Sequence, residues 1–482
     1  MDIPRYALIA ASVLLGLMLL GEWTRFSTAQ QQATSPPVPM VEARAPARET
    51  GSADFIAAEG GADTDLPASE DIDLPATDAL TDPVTMMADT SSQIITVHTD
   101  VLEIKIDLEG GDVVGAALKN YPKTLDDPSD PFVLLERNAQ RTYVAQSGLV
   151  GTDGIDQGRR AQYRSAQNVY RLEGVLPQEV TIEYIGGDSP LNVSKTFRFE
   201  PGSHTVLVSQ TVNNASSVTA QVTPFVQLKR DSSPAPAASD SGMGMKPFLG
   251  SALTQPDQRF AKFDFDDMAE DPFRADLTGG WVAMLQHYFV SAWIPDSDNT
   301  YRFRTRQTRS GDNIIGYTGP AMTIAPGETI SISNQLYVGP KNQKVLADLG
   351  PHLDLVVDYG WLWWIAQPLF WLLTFIQSIV INWGVAIIVL TLIVKLAFFQ
   401  LSAAGYKSMA RMRKVQPRIM AIREEYANDK AKQSQAMMEL YKKEKINPLG
   451  GCFPILVQMP VFIALYWVLM ESVELRQAPV SY

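Results

Sequence analysis

YGWLWWIAQPLFWLLTFIQSIVINWGVAIIVLTLIV, residues Tyr359 to Val394, runs for 36 residues without a formal charge between Asp358 and Lys395. As one helix it would extend about 54 Å at 1.5 Å per residue, far more than the roughly 30 Å of a bilayer's hydrocarbon core. The run must therefore break, and Asn382-Trp383-Gly384 supplies a polar, aromatic and flexible triplet at which to do so. Before the break, Trp361, Trp363, Trp364 and Trp371 crowd one segment, which suits a headgroup layer where one end of the indole is apolar and the other wet. The reading is a linker and amphipathic interfacial helix over 346–381 and a membrane span over 382–402.

Ile446 to Met470 is a second uncharged run, 25 residues long, and holds Pro448, Pro454 and Pro460. An interior proline costs a soluble helix about 3 kcal/mol, whereas neighbouring helices can satisfy the freed carbonyls in a membrane. This predicts a span over 448–473, with 474–482 beginning an outer loop. Between the two spans, Ser402 to Asn447 carries eleven Lys/Arg against five Asp/Glu, and so short a basic loop stays on the cytoplasmic side. Residues 22 to about 358 then lie outside. Tyr6 to Gly21 is apolar, with Arg5 before it and Trp23 and Arg25 after it; it reads as an uncleaved anchor over 1–25 or as a cleaved export signal, and either would carry the downstream chain across the membrane.

The chain has 482 residues, 46% of them hydrophobic, and a net charge of −13, which allows two or three domains and argues against recognition of nucleic acid through overall charge. Val41 to Thr90 holds twelve carboxylates against Arg44 and Arg48; with few aromatics, 26–93 reads as a flexible acidic, Pro/Ala-rich tether. One cysteine, Cys452, and four scattered histidines, His98, His204, His287 and His352, support neither a disulfide framework nor a zinc site. Gly242-Met243-Gly244 lacks the third glycine of a dinucleotide loop. No catalytic, cofactor or metal residue is assigned.

From Ile94 the pattern changes. Leu102, Ile104, Ile106 and Leu108 alternate with Glu103, Lys105 and Asp107 before Gly110-Gly111, the period of a strand with one wet face. Similar runs at Val180–Ile185, Thr205–Val212 and Thr329–Val338 predict an antiparallel sandwich over 94–345. Within it, Asp264, Asp266, Asp267, Glu270 and Asp271 lack calcium-loop spacing and read as a solvated loop.

The basic loop over 403–447 reads as a helical hairpin. Met409, Met412, Ile419, Ile422 and Tyr426 form a stripe, Ala427-Asn428-Asp429 makes the turn, and Met437, Leu440 and Tyr441 line the return helix. Arg411, Arg413, Lys414 and Arg418 lie mostly off the stripe. Lys395 falls thirteen residues after Asn382, roughly 20 Å along a helix. An ammonium at that depth either faces a wet pocket or snorkels to the surface. Thr391, one turn earlier, shares its face.

The chain resembles the YidC family of membrane protein insertases of Gram-negative bacteria. The likeness rests on TDVLEIKIDLEGGDV (Thr99–Val113), YFVSAWIP (Tyr288–Pro295), PHLDLVVDYGWLW (Pro351–Trp363), NPLGGCFPILVQMPVFIALY (Asn447–Tyr466) and ELRQAP (Glu474–Pro479). It implies a periplasmic β-supersandwich and an α-helical transmembrane bundle with a cytoplasmic helical hairpin, the whole in the bacterial inner membrane. It implies no cofactor and no chemical reaction. The implied function is insertion and folding of nascent inner-membrane proteins, alone or with the Sec translocon, through a hydrophilic groove. Lys395, Thr391 and Gln458 would line that groove, with Met459 and Phe462 as an apolar slide for clients. The hairpin would meet clients, the ribosome or signal-recognition machinery, and the bundle membrane lipids. The groove cation of relatives is usually Arg where Lys395 stands, which removes the planar bidentate fork. Relatives also continue with further spans beyond ELRQAP, so the chain reads as a fragment or a shortened form. The alternative from another class is a membrane-anchored periplasmic carbohydrate-binding or sugar-active protein, since the supersandwich resembles mutarotase-like domains.

Overall fold

The computed structural model describes residues 94–186, 189–234, 247–295, 299–427, 429–444 and 453–478. The expected anchor and tether, Gly242-Met243-Gly244, Asn428, Pro448, Cys452 and the residues from Pro479 on lie outside the described residues.

Alternation of apolar and polar side chains produces strands where the sequence places them. They run Leu102–Asp107, Gln178–Tyr184, Thr205–Asn214 and Thr329–Pro340, and along Thr205–Asn214 every second residue is buried. That strand lies between Leu191–Phe199 and Thr329–Pro340, antiparallel to both. Among the described residues the strands form an eleven-stranded and a nine-stranded sheet. The pairing is not wholly antiparallel: Ile94–His98 runs parallel to Val169–Arg171, a long-range edge contact that local periodicity does not encode.

The two sheets bury their inner faces against each other. Ile104, Ile106, Leu118, Phe132, Leu228 and Ile315 of the first sheet pack in one core with Val180, Phe197, Val206, Met284, Trp293 and Leu336 of the second. Trp293 Nε1 donates across the core to the Gln227 carbonyl at 3.1 Å, so this large ring leaves no orphan donor. The outer face of the second sheet is covered by the helix Gln343–Leu349 and by Leu353–Val356, and Trp281 Nε1 donates to the Pro351 carbonyl at 2.9 Å.

A charged cluster also joins the sheets. Gly110 and Gly111 turn the chain with φ of 82° and 59°, where any other side chain is strained, and a Cβ on Gly111 would lie 2.8 Å from Ile182 Cδ1. Fully buried Lys195, on the second sheet, donates to the Gly110 carbonyl at 2.8 Å and the Ser147 carbonyl at 2.9 Å. Burial pushes its ammonium down to about 8 against the opposing pull of Asp112. Beside it, Arg160 bridges Asp112 and Asp156, the latter at 2.9 Å, while Asp156 accepts from Leu149 N at 2.8 Å and Ala161 N at 3.1 Å.

The acidic group expected as a loop is instead a helix, α1 (Phe265–Glu270). Asp264 caps it and Asp267 reciprocates, two carboxylates satisfying exposed N–H groups.

Beyond the sandwich the chain is helical: α2 (Gln343–Leu349), α3 (Trp363–Val380), α4 (Trp383–Ala397), α5 (Phe399–Glu425), α6 (Lys430–Lys443) and α7 (Phe453–Glu471). The expected break falls where the triplet puts it. Ile381 ends α3 in the left-handed region at φ 59°, and the Asn382 side chain caps α4 by accepting from Val385 N at 3.0 Å. A β-branched residue there is strained, which makes the corner a defined one. The helix that opens the expected span over 382–402 ends at Ala397; the chain turns by 61° at Phe398 and continues as α5. No glycine or proline marks this bend.

In the hairpin, Val415 and Ile419 are buried against Met412, Met437, Leu440 and Tyr441. The packed stripe differs from the expected one: Val415 belongs to it, Met409 is 42% exposed, and Ile422 and Tyr426 are not among its members.

Arg160→Met would remove the guanidinium that bridges buried Asp112 and Asp156 and leave Lys195 as the nearby cation, a loss of about 3 kcal/mol. The exposed Arg164–Glu183 pair predicts about 0–1 kcal/mol for Arg164→Met. Urea midpoints for loss of protease resistance in the sandwich distinguish the two.

Candidate functional site

The helical region is built around one stripe. Ala366, Leu369, Leu373 and Ile376 recur at three- and four-residue steps on α3 and are buried against Ala386, Leu390 and Val394 of α4 and Ala464, Leu465 and Val468 of α7. α3 is thus the helix against which both α4 and α7 pack. Its other side is not charged: Trp364, Trp371, Phe375 and Ile379 are between 52% and 66% exposed. The expected amphipathic contrast is therefore one of a largely aromatic exposed side, with Ile379, Gln367 and Ser378, against an aliphatic buried one. Among the described residues, Gly360–Val380 and Phe453–Glu471 are each long and apolar enough to cross a membrane, and α4 with α5 would be so as a bent pair.

Thr391 and Lys395 each follow a buried residue, Leu390 and Val394, by one position and share one side of α4, beside the buried stripe. Lys395 is exposed, and among the described residues no carboxylate pairs with it. Thr391 Oγ1 donates to the Ile388 carbonyl at 2.8 Å, so its hydroxyl is internally satisfied while its oxygen lone pairs stay available.

On α7, Ile455, Met459 and Phe462 fall at four- and three-residue spacing and are 57%, 49% and 41% exposed, a single unfilled apolar face. Gln458, three residues after Ile455 and four before Phe462, borders the same face. Its Nε2 donates to Ser402 Oγ at 3.0 Å, tying α7 to the first turns of α5. The structure thus brings Thr391 together with Lys395 and Met459 together with Phe462, and gives Gln458 a partner that sequence reasoning misses. Ser402 is legible only as a small polar residue in an apolar stretch.

Arg411, Arg413 and Lys414 are exposed along α5. Arg418 forms an ion pair with Glu444, which closes the hairpin.

The sandwich carries a separate cleft of about 280 Å³, lined by Tyr301, Tyr317, Met322, Ile332 and Asn334 among others. Tyr317 Oη donates to Asn334 Oδ1 at 2.8 Å. No carboxylate or histidine among the described residues lines it.

Residues 94–372 match the family model described as the YidC periplasmic domain, and 375–482 match that of the 60Kd inner membrane protein. The chain is similar to the membrane protein insertase YidC of Marinomonas sp. (strain MWYL1), with 46% identity over 99% of this chain and 84% of that protein. It is also similar to the protein of that name from Pseudomonas aeruginosa, with 43% identity over the same shares. Among solved structures, a galactose mutarotase related enzyme from Lactobacillus acidophilus matches at a TM-score of 0.35 with 9% identity, covering 51% of this chain and 97% of that one; a likeness of that size carries no functional argument.

The Ser402–Gln458 bond predicts a coupling of about 0.5–1.5 kcal/mol in a double-mutant cycle of Ser402→Ala with Gln458→Leu, measured on the thermal unfolding of the detergent-solubilised chain.

Proposed function

The chain belongs to the YidC family of membrane protein insertases, and from that membership we propose how this inner-membrane protein hands its clients to the lipid. The observation that carries the reading is where α7 begins and ends. Near its start, Gln458 is bonded to α5 of the hairpin; at its end, Glu471 pairs with Lys341 of the sandwich at 3.6 Å. The helix is nineteen residues long, about 28 Å at 1.5 Å per residue, close to the roughly 30 Å of hydrocarbon. The basic hairpin and the sandwich therefore belong on opposite sides, with the hairpin in the cytoplasm by its charge and the sandwich in the periplasm.

This arrangement requires an odd number of crossings between sandwich and hairpin. We assign the crossing to α4 and lay α3 in the outer interface, where Trp361, Trp363, Trp364 and Trp371 meet headgroups. The domain limits are then 94–345 for the sandwich, 346–381 for the linker and interfacial helix, and 448–473 for the second span. Ala397 replaces residue 402 as the end of the first straight span.

In the proposed mechanism Lys395 and Thr391 keep water on one side of α4. An ammonium without a protein counter-charge in that setting attracts a carboxylate in the exported tail of a client. Once the tail has passed, Met459 and Phe462 offer an adaptable apolar surface, and the client's own apolar area drives it into lipid at about 25 cal/mol per Å². Gln458 serves the groove by fixing α7 to Ser402. Arg411, Arg413 and Lys414 are free to meet the ribosome, signal-recognition machinery or anionic lipid, and the Sec translocon is the proposed partner for larger clients. No step makes or breaks a covalent bond, so no cofactor enters.

Two measurements test this reading. After replacing the only cysteine by Cys452→Ser, Val175→Cys, 88% exposed in the sandwich, should be labelled by an impermeant maleimide in intact spheroplasts, and Ala431→Cys on α6 should not; labelling of both refutes the orientation. For a client with an acidic exported tail, Lys395→Arg should insert as well as the parent and Lys395→Ala several-fold less. Equal insertion by all three assigns Lys395 to snorkelling.

A further inference from the structure

The outer end of α7 is seated in the sandwich by polar contacts from closely spaced residues. His287 Nε2 lies 2.8 Å from the Met470 carbonyl. Burial pushes the ring's pKa down to about 4, so at neutral pH the imidazole is uncharged and Nε2 carries the proton it donates. Glu471 meets Lys341 at 3.6 Å, with side chains 3% and 2% exposed. Asn342 Nδ2 donates to Glu474 Oε1 at 3.3 Å, and Arg476 Nη2 donates to the Pro122 carbonyl at 2.7 Å while its guanidinium covers the rings of Phe132 and Phe289. A second ion pair, Lys262–Asp358, ties the strand Ala261–Phe263 to the linker preceding α3.

Of these contacts, Lys341–Glu471 is the one whose energy depends most on position. A buried ion pair rarely adds net stability over an apolar pair of the same size, but it penalises misalignment heavily, because a displaced charge loses its nearest partner; here Asp358 and Lys262 also act on the two groups. Sliding α7 by one turn, about 5.4 Å, or rotating it by one residue, about 100°, would carry Glu471 away from Lys341. Between these contacts and the Gln458–Ser402 bond near its other end, α7 packs on α3 through Ala464, Leu465 and Val468, apolar contacts that tolerate slippage far better than a charge does.

Resting on the insertase reading, we propose that Lys341 and Glu471 are positioning residues: their buried pair fixes the height and rotation of α7 beneath the sandwich and so holds Met459 and Phe462 on the client-facing side.

The test uses the full chain in detergent and in cells, with Lys341→Met, Glu471→Gln, the charge swap Lys341→Glu/Glu471→Lys, and the apolar double variant Lys341→Met/Glu471→Leu. The first measurement is hydrogen exchange of the amides from Glu471 to Gln477, which is independent of activity. Each single variant should exchange at least about fivefold faster there, and the swap should restore part of the protection, since Asp358 and Lys262 then oppose the exchanged charges. The second is photo-crosslinking to a nascent client from each position between 459 and 466. The parent should concentrate capture at 459 and 462, and the single and apolar double variants should spread it to neighbouring positions even where the sandwich stays protease-resistant. Parental exchange and crosslinks in Glu471→Gln, or single-variant losses that the swap does not repair even in part, overturn the proposal. If the parent captures no client at any position, it is the insertase reading that fails, and hydrogen exchange alone decides whether the pair pins α7.

Discussion

Hydrocarbon accepts only backbone whose N–H and C=O groups are bonded within the protein, and the helical half of this molecule is shaped by that requirement. A 36-residue uncharged run cannot stay straight and stay in the membrane, so it must turn where the exposed ends of two helices can be satisfied. Ile381 and Asn382 do this together. The strained left-handed residue closes α3, and the asparagine side chain supplies the acceptor that α4 lacks. The corner then fixes which face of α4 meets α3. With Ala386, Leu390 and Val394 buried, Thr391 and Lys395 are carried beside that stripe, on a side of the helix that a soluble protein would not leave apolar.

The sandwich obeys the opposite constraint. It is covered by water and can hold charge, yet it places charge in its core, with Lys195, Arg160, Asp112 and Asp156 joining the sheets at a glycine turn. Carbonyls meet the ammonium and two carboxylates meet the guanidinium, leaving Arg160 Nε as the buried atom of these groups without a partner, so the network favours one alignment of the sheets. A rigid outer domain is what a span needs if its outer end is to be held at one height.

Much of this is readable from the chain alone, because the relevant signals are local. Period-two runs mark the strands at Leu102–Asp107 and Thr205–Asn214 to within two residues, the polar triplet marks the corner, and the stripe through Met412 and Ile419 marks the hairpin. What escapes is non-local or sterically subtle. The Ser402–Gln458 bond spans 56 residues, and Lys341 and Glu471 are further apart still, so neither residue signals the other by spacing. The bend at Phe398 comes without a proline or glycine and leaves no trace in composition. The acidic run at Asp264 reads as a loop by its charge, whereas its capping geometry decides its structure.

The polar groups of the helical region divide by whether they are satisfied, and that division separates scaffold from site. Gln458 has Ser402, Glu471 has Lys341, and Asn382 caps α4; each is a joint whose hydrogen bonding is spent inside the protein. Lys395 alone among the residues proposed for the groove keeps a full charge with no carboxylate facing it among the described residues. A cation in a low-dielectric setting without an internal partner is stabilised either by water or by an incoming anion. Lysine also offers a point charge on a flexible stem rather than a planar fork, so it attracts a carboxylate without fixing its orientation. In the proposed groove, weak and undirected attraction at Lys395 combined with firm joints at both ends of α7 suits release of a client into lipid: the walls hold still while the contact with the client stays easy to break.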